Sequence, residues 1–248
     1  MKPVCLTIAG SDSSAGAGIQ ADLATFSECG AQGVSVITAL TAQNPDSVLR
    51  VEPAPLEQIG AEMEAVFSYY HVAAVKTGML LDAERINTVA EGLKRWHADK
   101  PLIVDPVMVA TSGAGLLAEN AVQALTDELF PLATAITPNI AEAECLLARK
   151  VEDVIDDAAL LAQQYGCAVL IKGGHGRENV LIDVLCEQSK EVVVFSHKRI
   201  DGAFLHGTGC RLSAAITAGL ARGQPLHDAV ERSIQWLQEA LADSVGKP

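Results

Sequence analysis

The sequence predicts an α/β fold, with a doubly wound, mainly parallel sheet flanked by helices. Forty-nine per cent of the 248 residues are hydrophobic and only 4% are aromatic, as is typical of aliphatic parallel strands covered by helices on both faces. Short apolar runs alternate with segments of helical periodicity, which is the pattern of βαβ units. Polar motifs follow the carboxyl ends of these runs, where doubly wound sheets bind their ligands.

The N-terminal half alternates strands and helices. The first helix carries Ile19, Leu23 and Phe26 at helical spacing, and Pro55 leads the second. The stretch 46–52 is more polar, so we expect an edge or lid strand there. This half is predicted to contain strands at 4–9, 34–40, 46–52, 72–76 and 102–104, and helices at 17–29, after Pro55, at 83–96 and at 121–129.

The C-terminal half is predicted to place an antiparallel hairpin at one edge of the sheet. The runs 180–186 and 192–195 form this hairpin. The crossovers between the parallel strands are expected to be right-handed. Because no linker interrupts the pattern, we expect residues 1–248 to form one domain. The remaining elements are strands at 133–136 and 168–171, a helix at 157–165 and two C-terminal helices.

Charge and cysteine usage exclude several classes of protein. Eighteen Lys and Arg residues against 31 Asp and Glu residues give a net charge of −13, which argues against a nucleic-acid or anionic-membrane partner. An anionic substrate would therefore need local backbone dipoles, a metal or a few cations. The six cysteines form no C-x-x-C pair, and no signal peptide or long apolar span is evident. We expect a cytoplasmic, reduced protein without structural zinc.

The most informative motif is His-Gly-Thr-Gly-Cys at 206–210, at the start of a predicted helix. Glycines on both sides of Thr208 direct backbone N–H groups into one concavity that holds a phosphate or a developing phosphoryl charge. A cysteine at a helix N-terminus has a lowered pKa, so Cys210 is a candidate base that activates a hydroxyl. The combination indicates a kinase. The alternative is a glycine-rich turn that caps an apolar helix with a buried cysteine.

The glycine-rich loop at 10–18 allows a different interpretation. Gly16, Gly18 and Ala21 fit the dinucleotide fingerprint G-x-G-x-x-G/A. That fingerprint also requires an acidic residue near the end of the second strand, where 38–43 reads Thr-Ala-Leu-Thr-Ala-Gln. The requirement is not met, and no P-loop motif occurs. The loop is then either a plain turn or a place where a ligand approaches the backbone closely.

Two carboxylates and one lysine follow predicted strands. Asp105 and Glu142 are candidates to hold Mg²⁺ beside an ATP tail. The alternatives are a turn residue before a proline for Asp105 and a dipole-favoured first-turn carboxylate for Glu142. Lys172 precedes two glycines and either reaches a phosphate or is solvated. The remaining histidines show no ligand spacing, and we expect ordinary surface or packing roles for them: His71, His97, His197 and His227.

The motifs taken together resemble one enzyme family over nearly the whole chain. They occur in this order: Ala-Gly-Ser-Asp-Ser-Ser at 9–14, Gly-Ala-Gly-Ile-Gln-Ala-Asp at 16–22, Ser-Val-Ile-Thr-Ala-Leu-Thr-Ala-Gln-Asn at 35–44, Thr-Gly-Met at 77–79, Asp-Pro-Val-Met at 105–108, Thr-Pro-Asn at 137–139, Lys-Gly-Gly-His at 172–175 and the 206–210 motif. This set strongly resembles the hydroxymethylpyrimidine/phosphomethylpyrimidine kinases of thiamine biosynthesis. The resemblance implies a ribokinase-like fold, a homodimer, and two ATP- and Mg²⁺-dependent phosphorylations of 4-amino-5-hydroxymethyl-2-methylpyrimidine, first at the alcohol and then at the phosphate.

The resemblance also assigns residues. It places the anion hole and the base at the start of the last but one helix, with Cys210 as the base. The carboxamide of Gln43 suits an aminopyrimidine, because it answers both a ring acceptor and an exocyclic donor. The implied catalytic residues are Gly207, Thr208, Gly209 and Cys210; the metal residues are Asp105 and Glu142; the ATP residues are Thr137, Asn139 and Lys172; the pyrimidine pocket is lined by Gly10, Ala17, Asp22, Gln43, Met79 and Val107.

The chain departs from the family pattern at a few positions. The loss of a lysine at Thr111 and the gain of Arg211 redistribute charge close to where a phosphorylated substrate would lie. Two other functions remain open: a pyridoxal/pyridoxine kinase, and a silent binding protein for a vitamin precursor, which would need neither Cys210 nor Glu142. The departing residues are Ala15, Thr111, Ala114, Leu205 and Arg211.

Overall fold

A computed structural model describes residues 1–44, 46–97, 99–108, 119–173, 180–188, 191–200 and 207–245. Within them the strands are β1 (Val4–Asp12), β2 (Gln32–Asn44), β3 (Ser47–Pro53), β4 (Val72–Thr77), β5 (Leu102–Val104), β6 (Ala135–Ile136), β7 (Ala168–Ile171), β8 (Val180–Cys186) and β9 (Val192–Lys198). They form one sheet in the order β3-β2-β1-β4-β5-β6-β7-β8-β9. The strands from β2 to β7 in this order are parallel, and β3, β8 and β9 pair antiparallel with their neighbours.

Helices cover both faces of this sheet. They are α1 (Gly18–Glu28), α2 (Leu56–Tyr69), α3 (Ala83–Trp96), α4 (Glu119–Ala124), α5 (Ile140–Leu147), α6 (Val154–Tyr165), α7 (Thr208–Ala221) and α8 (Leu226–Ser244). The larger core lies under α2 to α6, and α1, α7 and α8 pack on the opposite face. Successive side chains of β1 point to opposite faces of the sheet, so Leu6 and Ile8 enter the larger core and Cys5 enters the core on the other face.

The predicted architecture is confirmed, including the antiparallel hairpin and the edge strand at 47–53. Several boundaries differ from the prediction, and two of the differences have a clear structural form. β1 continues through Gly10 to Asp12 because Ser11 and Asp12 still pair with β2. The helix predicted at 121–129 is α-helical only to Ala124 and continues as a π-helical turn, Leu125–Leu129. Among the described helices, none is long and apolar enough to cross a membrane.

Candidate active site

A cavity of about 640 Å³ opens at the carboxyl ends of the parallel strands. The topology explains this location, because β1 lies between β2 and β4 and the chain runs outward in both directions from it. The N-terminal turn of α7 closes the cavity from one side through Gly207, Thr208, Gly209 and Cys210. The strand-end motifs that are far apart in the sequence thus meet in one place.

A buried ion pair lies at the floor of the cavity. The ammonium of Lys76, at the end of β4, is 2.7 Å from a carboxylate oxygen of Asp22 in α1. Thr7 donates a further hydrogen bond of 2.6 Å to Asp22. Burial lowers the pKa of Lys76, but the charge of Asp22 outweighs burial and raises the pKa above its ordinary value. Lys76 therefore presents a fixed positive charge to the cavity that it lines.

Asp105 is the centre of a second polar cluster, at the end of β5. Lys172 donates to it at 2.9 Å and Thr137 at 3.2 Å. Ser213 of α7 donates to its other oxygen at 3.3 Å. Burial raises the pKa of Asp105, but the Lys172 and Lys76 ammonium groups outweigh burial and hold it below the usual range. Asp105 is therefore an anion that fixes Lys172 beside the start of α7.

Glu142 has the capping role that its position suggested, and its role as a Mg²⁺ ligand stays a prediction. Its carboxylate accepts from the backbone N–H of Asn139, and the Asn139 side chain accepts from the Glu142 N–H, both at 2.9 Å, which completes a capping box on α5. Burial raises the pKa of Glu142 to about 7; Lys172 opposes this shift and Asp105 adds to it. A nearby cation would stabilise the ionised form of such a group.

The donor set near Glu142 fits Mg²⁺ that arrives with a nucleotide. Among the described residues, no group of three or more His, Cys, Asp or Glu side chains is placed to hold a metal. Mg²⁺ commonly needs fewer, because it keeps several waters and binds one or two carboxylates together with substrate phosphates. Asp105 and Glu142 line the cavity and lie within each other's electrostatic field. They are the two carboxylates that would hold it.

The start of α7 is built to leave backbone N–H groups available. Its N-cap is Gly207, in the left-handed region at φ 76°, and no side chain of the described residues caps the helix. Gly207 packs on the loop after β1, where a Cβ would lie only 2.4 Å from the carbonyl oxygen of Gly16. The ammonium of Lys172 lies 3.2 Å from the place of a Cβ on Gly209. The dipole of α7 and the Lys172 ammonium therefore both place positive charge at the start of this helix.

The lowered pKa expected for Cys210 is wrong. Burial raises the pKa of this thiol to about 11. The Lys76 ammonium and the Gly18 N–H lower it less, and the charges of Asp22 and Asp105 raise it further. At neutral pH the side chain is therefore a thiol, because two buried carboxylates and the loss of solvent outweigh the helix N-terminus.

The other side of the cavity is the predicted pyrimidine pocket. Gly10, Ala17, Gln43, Met79 and Val107 all line it. The methyl group of Met79 packs on Gly10 so closely that a Cβ there would lie 2.5 Å from it. Met79 therefore fills the space that Gly10 leaves above β1 and presents apolar surface to the pocket.

Asp12, which sequence reasoning did not select, organises the loop beside this pocket. Its carboxylate accepts from the N–H and hydroxyl of Ser14, both at 2.8 Å, and from the Ala17 N–H at 2.7 Å. Burial raises the pKa of Asp12, but these hydrogen bonds outweigh it and lower the pKa below its usual value. The glycine-rich loop is thus folded around an ionised carboxylate.

Two predicted contact residues lie beneath the cavity and do not line it. Asp22 is fully buried in its bonds to Lys76 and Thr7. Thr137 is buried and directs its hydroxyl to Asp105. Both support charged side chains that do reach the cavity.

Three of the four remaining histidines stay outside the cavity, but His197 lines it. Its imidazole lies 2.9 Å from Asp183, and the expected packing role stays a prediction at this position. The motif residues Gly174, His175 and His206 and the departures Thr111, Ala114 and Leu205 lie outside the described residues.

Comparison with known proteins identifies the family. The family described as phosphomethylpyrimidine kinase matches residues 12–247. The chain belongs to this family. It is 46% identical to the hydroxymethylpyrimidine/phosphomethylpyrimidine kinase of Rhizobium meliloti, over 98% of this chain and 91% of that protein. It is 42% identical to the thiamine biosynthesis bifunctional protein ThiED of Geobacter sulfurreducens, over 98% of this chain and 50% of that protein.

A solved structure is similar throughout the fold. The ADP complex of Bacillus subtilis pyridoxal kinase superposes with a TM-score of 0.85 at 35% identity, covering 95% of this chain and 90% of that one. These similarities confirm the predicted ribokinase-like fold. They also confirm two further predictions: the enzyme is a kinase, and it belongs to thiamine biosynthesis.

Proposed function

We propose that this kinase transfers the γ-phosphoryl group of ATP to the hydroxymethyl oxygen of 4-amino-5-hydroxymethyl-2-methylpyrimidine, and then a second group to the resulting monophosphate. The observation that carries the proposal is the meeting of the uncapped start of α7 with Lys172 and Lys76 at one end of a pocket lined by Gln43 and Met79. An acceptor and a phosphate site lie in one cavity.

The pyrimidine is held by one amide and by apolar contacts. Gln43 lines the cavity beside the Asp12 loop, and its backbone is fixed by two hydrogen bonds of 2.9 Å to the Ser13 hydroxyl. Its carboxamide donates one N–H to Asp12 and keeps a second N–H and its oxygen for the aminopyrimidine edge. Met79 and Val107 supply apolar surface for the ring and its methyl group.

In the transfer, the substrate oxygen attacks the γ-phosphorus, the bond to the β-γ bridging oxygen breaks, and ADP leaves. Negative charge on the transferred group is stabilised by the N–H groups at 208–210 and by Lys172. Cys210 is the acceptor for the hydroxyl proton. Because it rests as a thiol, it first gives its own proton to solvent, so fixed charges contribute more of the rate than the base does.

ATP as the donor is supported by the ADP-bound structural relative. Mg²⁺ would neutralise phosphate charge, held by Asp105 and Glu142. Thr137 serves this site through Asp105, and Asn139 lines it and caps α5.

We further propose that residues 1–248 act as one kinase domain and form a homodimer. The edge of the sheet at β3 supports the dimer, because Leu49 of β3 is 77% exposed and Leu40 of β2 is 54% exposed. Light scattering of the purified protein measures this state, and a monomer mass at micromolar concentration would contradict it.

A coupled ADP-release assay tests the proposed function. The purified enzyme is offered the pyrimidine alcohol, its monophosphate and pyridoxal, each with Mg²⁺ and ATP. We expect turnover of the first two, with a kcat/KM for the pyrimidine alcohol at least tenfold above that for pyridoxal. Pyridoxal as the better substrate would favour the second candidate, a pyridoxal kinase, which the similarity to the Bacillus subtilis enzyme supports. If none of the three compounds causes ADP release, the result would contradict both candidate functions.

A further inference from the structure

The end of the cavity farthest from Gln43 contains a chain of hydrogen bonds that the steps above do not use. This outer lobe is lined by Leu181, Asp183, His197, Leu237, Gln238 and Leu241. Its residues come from β8, β9 and α8, elements that contribute nothing to the pyrimidine pocket. The leucines form an apolar surface, and the three polar side chains form one edge of it.

The polar edge is a continuous relay. The amide nitrogen of Gln238 donates to Nδ1 of His197 at 3.0 Å, so the neutral imidazole carries its proton on Nε2. That Nε2 donates to Asp183 at 2.9 Å. The second oxygen of Asp183 accepts from the backbone N–H of Gly173 at 2.8 Å. A helix is thereby connected through two strands to the end of β7.

The relay ends next to Lys172, the lysine whose ammonium bonds to Asp105. Gly173 follows it directly and packs so tightly on β8 that a Cβ would lie 1.7 Å from the carbonyl oxygen of Ile182. The backbone at Gly173 is therefore in direct contact with β8. A shift of the Asp183 carboxylate therefore moves the backbone that carries Lys172.

The direction of the cavity assigns a ligand to the outer lobe. In the proposed function the phosphates bind at Lys172 and the start of α7 and the acceptor binds on the Gln43 side, so the nucleoside would extend the other way. An apolar surface bordered by an imidazole and a carboxamide suits a flat heterocycle with polar edges. We infer that His197 is a positioning residue of the nucleotide site, which holds Asp183 on Gly173 and orients Lys172 toward the nucleotide. This inference rests on the proposed function.

Calorimetric binding of ADP and steady-state kinetics with the pyrimidine alcohol test it. His197→Leu removes both links of the imidazole, and we expect the ADP Kd and the ATP KM to rise about tenfold, as the loss of one to two hydrogen bonds gives. The KM for the alcohol should stay within twofold. His197→Gln restores a donor toward Asp183 and should recover much of the nucleotide affinity. If His197 were merely structural, its substitution would not weaken nucleotide binding selectively over binding of the alcohol.

His227→Leu is the matched control. This histidine lies at the start of α8 and its ring packs 5.8 Å from Phe195 of β9, yet it does not line the cavity. We expect ADP binding like the wild type. Should His197→Leu fail to fold, Gln238→Leu removes only the outermost link and should raise the ADP Kd about threefold.

The outcomes separate the two proposals. Wild-type ADP affinity in the variants, or an equal rise in both KM values, would overturn the role of His197 and leave the kinase proposal standing. Wild-type enzyme that neither binds ADP nor releases it from ATP would overturn the proposed function, and this inference with it.

Discussion

Lys76 and Asp22 form a salt bridge of 2.7 Å in which neither side chain has any exposure to solvent. The pair lies under Cys210, and its two charges act on that thiol in opposite directions. A buried charge keeps its ionised form only with a partner, so the charge at the floor of the cavity depends on a residue that never meets the substrate.

Asp22→Asn should therefore destabilise the protein strongly. It leaves a buried ammonium unpaired, which typically costs about 3–5 kcal/mol, and we expect this loss in urea unfolding. The double variant Asp22→Asn, Lys76→Met removes the unpaired charge and should regain part of the stability. Glu128→Gln breaks a half-exposed bridge to Lys94 and is the control, with a loss below about 1 kcal/mol. A loss of that small size for Asp22→Asn would contradict the prediction.

Gly207→Ala should lower kcat by more than the backbone strain of an alanine at positive φ explains. The residue has φ 76°, and a new Cβ would meet the Gly16 carbonyl at 2.4 Å, so the N–H groups of α7 would be displaced. We expect kcat to fall at least about tenfold, since an anion-hole donor is worth about 10²–10³ in rate.

The control for this substitution is Gly223→Ala. Gly223 has a similar φ of 80° but nothing within 4 Å of its Cβ position. It isolates the backbone strain, about 1–2 kcal/mol, and should leave kcat unchanged. Equal kinetic effects of the two substitutions would show that the packing of Gly207 on the loop is unimportant.

Glu142 should make Mg²⁺ binding depend on pH. Its pKa is raised to about 7, so it is protonated below that pH and ionised above it. Raising the pH from 6 to 8 should therefore lower the Mg²⁺ concentration needed for half-maximal rate. Glu142→Gln keeps the capping box, because glutamine serves in that motif. The variant should need more Mg²⁺ than the wild type at pH 8, where the wild-type carboxyl is ionised, and should show little pH dependence. An identical titration for both proteins would assign Glu142 to capping alone.

The same carboxyl should affect stability in a defined window. In the folded state its pKa lies above the ordinary glutamate value of 4.5, so the folded protein binds more protons between pH 4.5 and 7. Stability must then fall as the pH rises through that window. Glu142→Gln should remove this component of the slope in thermal unfolding without Mg²⁺. A slope that is unchanged in the variant would show that other groups produce it.

The sequence predicts the strand-end residues well for a topological reason. Parallel strands bring their carboxyl ends to one edge, so Asp105, Lys172 and residues 207–210 had to converge once the strands were recognised. Lys76 was missed because it stands at the end of an apolar run, and its partner Asp22 is 54 residues away. Burial of a charge is a property of the packed molecule that local patterns do not reveal.

The pKa of Cys210 was misjudged and the hydrogen bonds of His197 were not foreseen, both for the same physical reason. The helix N-terminus is visible in the sequence, but the burial of the thiol is not. The hydrogen bonds of His197 are made with Asp183 and Gln238, which belong to two other elements. Spacing rules detect ligands within one element and fail when three elements each supply one side chain.

Gln43→Leu should separate the two substrates kinetically. Removing the carboxamide leaves polar groups of the pyrimidine unpaired, at about 1–3 kcal/mol, so the KM for the pyrimidine alcohol should rise about tenfold or more. The ATP KM should stay within twofold. Gln58→Leu, on the exposed surface of α2, is the control. Equal effects on both KM values would remove Gln43 from the pocket.

Cys210→Ala should lower kcat and leave nucleotide binding nearly unchanged. General bases contribute about 10²- to 10⁴-fold, and a loose phosphoryl-transfer transition state needs little proton removal, so we expect a fall of about 10²-fold. ADP binding by calorimetry checks that the fall is not a loss of affinity. Cys145→Ala, at an exposed thiol in α5, is the control and should match the wild type.

The pH profile decides whether the thiol acts as the base. Its pKa is raised to about 11, so the thiolate fraction grows about tenfold for each pH unit between 7 and 9. If the thiolate accepts the proton, the ratio of wild-type kcat to Cys210→Ala kcat must rise with pH over that range. Alkylation of Cys210 should likewise be slow at pH 7, slower than that of the exposed Cys145, and prevented by substrate. A kcat ratio that stays constant from pH 7 to 9 would show that Cys210 contributes by packing and that the proton leaves by another route.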